Sequence, residues 1–138
     1  MMAQANCHAV IAEVQQNLIS RFGVVVRGVE TRPVVERTNP FRDRDKWLIF
    51  VLEHNTPRRQ RAANQLLRSV DLRRTYAQRI TDNCTNVAIV SFGLAATGMM
   101  VSVYRMPDGT VREAVYVDPA DRREPNRPLP WGYQPCCL

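Results

Sequence analysis

Four cysteines and two histidines are the residues of this chain best suited to chemistry: Cys7, Cys84, Cys136, Cys137, His8 and His54. Thiolates and imidazoles hold zinc, and a thiolate beside an imidazole is a nucleophile with its base. The spacing argues against a metal. No two cysteines form a C-x-x-C pair, and the side chains of adjacent Cys136 and Cys137 point apart in an extended chain. Four scattered positions would have to converge, so neither a metal nor a cofactor is expected. Structural disulfides are not expected in a cytoplasmic protein either, although a tail cysteine is a conceivable partner for Cys7. Cys84, between a helical stretch and an apolar one, reads as a small apolar filler.

Catalysis would fall to His54, which sits where an apolar run ends at Glu53-His54-Asn55, with Cys84 or a carboxylate as its partner. Nothing in the sequence brings His54 and Cys84 together. No nucleophile elbow, phosphate loop or H-E-x-x-H accompanies them. The ending PLPWGYQPCCL is no prenylation site, because Pro135 occupies the fourth position from the end, where the motif needs cysteine.

Charge is the stronger signal. The net charge is +6, and 18 of the 19 basic residues are arginine. All of that excess lies between residues 37 and 82, and segment 57–82 alone carries seven arginines against Asp71 and Asp82. Read as one helix, 57–82 places Ala63, Leu66, Val70, Ala77 and Ile80 on one side. Arg61, Arg68 and Arg79 fall on the other, in a row of about 27 Å. Arg58 and the 37–46 loop, with Arg42, Arg44 and Phe41, extend this basic face. Guanidinium forks suit carboxylates and phosphates alike. An acidic protein partner is preferred; nucleic acid, with Phe41 or Trp47 stacking on a base, is the alternative. Trp131 and Tyr133 are residue types that anchor interfaces, though a tail carrying them is expected to pack on its own domain.

The elements that must position these residues follow from periodicity. Residues 4–22 show helical spacing of Val10, Ile11, Val14, Leu18 and Phe22, and Gly23 is placed to end the helix. Residues 24–36 read as an edge strand, because Gly28 and Pro33 weaken a ladder; homodimerisation through this edge is a further option. KWLIFVLEH is apolar enough to be covered on both faces. Thr56-Pro57 starts the second helix. Val87–Tyr104 has eighteen uncharged residues, but its Gly-rich break marks two buried strands rather than a membrane span. Pro107-Asp108-Gly109 turns the second of these into a hairpin.

The expected fold is therefore α+β, in the order α-β-β-α-β-β-β. It has a largely antiparallel sheet of about five strands and two helices in one domain, 1–117, followed by a Pro-rich tail, 118–138. The N-terminus lacks a basic n-region, so no signal peptide is expected and a cytoplasmic location follows. The function expected is a non-catalytic binding or regulatory module.

Overall fold

Two strands cross the centre of the molecule side by side: β2 (Lys46–Leu52) and β3 (Val87–Leu94). The computed structural model, which describes residues 2–122 and 126–135, pairs them in parallel, with Phe50 opposite Phe92. Alternation sends Leu48, Phe50 and Leu52 to one face and Trp47, Ile49 and Val51 to the other. Antiparallel neighbours complete a five-stranded sheet in the order β1-β2-β3-β4-β5: β1 (Val26–Pro33) beyond β2, then β4 (Met100–Arg105) and β5 (Val111–Glu113) beyond β3. The sheet is thus mixed. The connection between β2 and β3 is helical, and a helical crossover returns the chain to the end from which it started.

Three helices cover one face. They are α1 (Met2–Phe22), α2 (Pro57–Arg68) and α3 (Val70–Asn83). Gly23, at φ +71°, ends α1 and donates its N–H to Ile19 O. That left-handed conformation is one a Cβ disfavours. The second helix expected over 57–82 is two helices. Ser69 closes α2, donating its N–H to Leu66 O, and opens α3, its Oγ accepting from Leu72 N at 3.2 Å. The nearly buried Arg73 then donates to Leu66 O at 2.9 Å and to Glu113 on β5 at 2.9 Å, so the break is held by tertiary contacts. The interior of this layer comprises Val14, Leu18, Leu66, Ala77 and Ile80 against Phe50, Val90, Phe92 and Val103, with Phe50 and Phe92 stacked at 5.4 Å.

Irregular chain covers part of the opposite face. Ala88, Ile89 and Tyr104 form a second apolar cluster with Ala114 and Trp131, flanked by Val34, Phe41 and Trp47. Trp131 meets Tyr104 edge-to-face at 4.7 Å, and its Nε1 donates to Arg105 O at 2.8 Å. Burial above all pushes the Tyr104 phenol well above its ordinary range, so it keeps its proton and donates to Glu36; Gln134 donates to its oxygen. The return arm of the hairpin is split. β5 pairs with β4, whereas β6 (Val115–Val117) turns away to pair in parallel with β7 (Tyr133–Pro135) from the tail. Among the described residues no helix is long and apolar enough to cross a membrane, and the apolar run 87–104 supplies most of β3 and β4.

Cys84 is no free filler: it forms a disulfide with Cys7, closing a separation of 77 residues and tying α1 to the end of α3. Nothing in the spacing signals it, since the two cysteines meet only because α1 packs on α3. A disulfide forms and persists under oxidising conditions, and this one overturns the expectation that the chain has no structural disulfide. Cys136 and Cys137 lie outside the described residues. A loop of this length corresponds to about 4.5 kcal/mol of lost unfolded-state entropy. Cys7→Ser should therefore lower the unfolding free energy by about 2–5 kcal/mol in urea titrations, an effect that adding reductant to the wild type reproduces. Trp131→Ala should cost about 3–5 kcal/mol in the same titration, as deletion of a large buried side chain does; a change below about 1 kcal/mol would show that the tail packs only loosely.

Candidate partner-binding surface

Helix α2 buries Ala62, Ala63, Leu66 and Leu67, and its sequence PRRQRAANQLLR contains no acid. The opposite side is a stripe. At 100° per residue Arg58, Arg61, Gln65 and Arg68 fall within an arc of about 80°, and they span about 15 Å along the axis. All four are exposed, and among the described residues none of the three arginines has an ion pair or hydrogen-bond partner. Their placement works against the helix. Arg58 lies in the first turn, where the positive end of the macrodipole disfavours a cation. Arg59 is directed elsewhere and donates to Asn55 at 3.0 Å.

Arg79 does not continue this stripe. The break at Ser69 separates it from α2, and its guanidinium donates to both oxygens of Glu13, at 2.8 and 2.7 Å, linking α3 to α1. The single row through Arg61, Arg68 and Arg79 is thereby replaced by a shorter one on α2 alone. The break did have a local signal, Ser69 followed by Asp71: an N-cap residue and a first-turn acid.

The 37–46 loop is largely committed to the fold. Arg44 Nη1 donates to Thr81 O at 2.9 Å, Cys84 O at 3.3 Å and Val87 O at 2.8 Å, a cation on the carbonyl end of α3. Burial, and then the like charge of Arg105, lower its pKa. Phe41 lies edge-on to Trp131 at 6.3 Å with the Arg44 guanidinium over its ring. Trp47 donates to Ser91 Oγ at 2.8 Å, and Ser91 in turn shares a hydrogen bond with Ser102. Arg42 is exposed and adds to the basic surface. Trp131 is 9% exposed, whereas half-buried Tyr133 carries the Arg112 guanidinium over its ring.

The structure does not bring the proposed nucleophile and base together. His54 follows the C-terminal end of β2, where its Nε2 contacts Ala95 O at 2.8 Å. Cys84 precedes the N-terminal end of the parallel β3, roughly 25 Å of strand away, and its sulfur is bonded to Cys7. Comparison with protein-family models, with curated proteins and with solved structures returned no match.

One ion cluster should respond to pH. Burial raises the Asp82 pKa, but hydrogen bonds from Arg105 and Gln78 and the Arg105 charge outweigh it, leaving the carboxyl below its ordinary range. A carboxylate with a depressed native pKa stabilises the fold above its unfolded value, about 3.9, and loses that contribution as pH falls through the lower native value. Thermal melts of wild type and Asp82→Asn should therefore differ at pH 7 and converge towards about pH 2.

Proposed function

We propose that this protein is a non-catalytic binding module that grips an acidic protein surface through Arg58, Arg61 and Arg68 on α2. One observation carries the reading: three exposed, unpaired guanidinium groups share one line on an acid-free helix whose own dipole disfavours the first of them. Arg44, Arg73, Arg79 and Arg105 each bond an internal group and have an evident structural use. The α2 stripe has none. Its dimensions suit a row of carboxylates on an acidic helix or strand, each met by a charge-assisted hydrogen bond. Phosphates would meet the same forks, but Phe41 and Trp47, the aromatics that would stack on bases, are engaged in the fold.

The test uses a fluorescent poly-glutamate peptide and a single-stranded oligonucleotide of equal charge. The wild type should bind the peptide. Reversing Arg58, Arg61 and Arg68 together to glutamate should weaken binding by at least about tenfold. Arg79→Glu is the control: it breaks the contact with Glu13 and should leave the affinity unchanged. Equal affinity of wild type and triple variant would end the proposal. Tighter binding of the oligonucleotide, falling steeply between low and moderate salt, would make the partner nucleic acid instead.

A further inference from the structure

We propose that two copies of the chain pair antiparallel through the free edge of β1, in a register centred on Thr31, independently of the α2 stripe. The sheet has two edges of unequal kind. β5 ends it with three residues, whereas β1 ends it with eight. Strand edges are usually short or covered, because their unpaired groups template further strands.

The direction of the free groups follows from one bond. Val34 donates its N–H to Asp45 O, towards β2, so alternation turns Val29, Thr31 and Pro33 outward and Glu30 and Arg32 inward. Proline is then placed where its missing N–H costs the ladder to β2 nothing. At the other end a bulge between Val26 and Gly28 interrupts the strand, leaving Gly28–Pro33 as the regular edge.

Charge selects the register. Glu30 and Arg32 share the sheet face turned away from the helices, joined at 2.9 Å, and the Arg32 guanidinium lies over the Trp47 ring at 5.7 Å. Pairing centred on Glu30 would oppose Glu30 to itself, and pairing centred on Arg32 would oppose Arg32 to itself. Centring on Val29 sets Glu30 against Gly28. Centred on Thr31, each Glu30 faces the other copy's Arg32, giving two such oppositions in the closer, non-hydrogen-bonded type of site. The four charges then alternate in sign around the twofold axis. Thr31 exchanges two backbone hydrogen bonds with its counterpart, and each Val29 N–H finds a Pro33 carbonyl. Val35, just beyond the strand and 79% exposed, lies beside this interface.

Complementation by charge tests it. By light scattering or sedimentation the wild type should be a dimer, and Glu30→Arg and Arg32→Glu each a monomer with an unchanged circular dichroism spectrum. An equimolar mixture of the two variants should regain the dimer mass, because every like-charge opposition becomes an attraction. If a single reversal fails to fold, the exchange Glu30→Arg with Arg32→Glu carries the same test, since it must pair with itself and refuse the wild type. A monomeric wild type, a dimer indifferent to either reversal, or a mixture that stays monomeric would each overturn the proposal.

Discussion

Parallel strands cannot be joined by a hairpin, and β2 and β3 are parallel. The 34 residues between Leu52 and Val87 must therefore climb back over the sheet, and they do so as α2 and α3. That constraint decides most of the remaining architecture. It places two helices against the face that carries Phe50, Val90 and Phe92. It sends Leu66 and Ile80 inward, and it leaves the outer side of α2 to whatever charges the sequence supplies. It also separates the two ends of the central pair. At one end Arg44, Cys84 and the disulfide bind the close of α3 to the start of β3; at the other His54 and Ala95 close the strands.

The two faces of the sheet are stabilised by different means. The helix side is apolar and regular. The other side is built from an Asn-Pro loop and a Pro-rich tail, and these are joined largely by hydrogen bonds: Thr38 to Leu129 O, Tyr104 to Glu36, Gln134 to Tyr104 and Trp131 to Arg105 O. Apart from the short β6–β7 pair these segments lack a ladder, so polar side chains must satisfy backbone that secondary structure would otherwise satisfy. Arginine serves the same purpose on the helix side, where Arg44 and Arg73 cap carbonyls at the ends of α3 and α2.

Much of this was legible in the residues. The run KWLIFVL predicts a doubly covered strand, Thr56-Pro57 a helix start, and Pro107-Asp108-Gly109 a turn; each depends on local chemistry. What the sequence conceals is set by packing between distant segments. The break at Ser69 has only the faint signal of a serine N-cap and a nearby acid, with no proline or glycine; the buried Arg73 holds it from a turn away and through Glu113 on another strand. The Cys7–Cys84 bond depends on how α1 crosses α3. The arginine row was misdrawn for the same reason: a helical wheel carried across Ser69 assigns Arg79 to a face it does not share. The candidate stripe on α2 survives because it is confined to one unbroken helix.

Trp131 has a further consequence that concerns time. During synthesis β2, β3 and β4 all emerge before it, so the sheet face that it covers is assembled without its cover. At cellular elongation rates the 27 residues from Tyr104 to Trp131 take on the order of seconds. For that interval Ile89, Tyr104 and Trp47 present an apolar surface to the crowded surroundings of the ribosome. Burial of this face is therefore complete only when the tryptophan arrives.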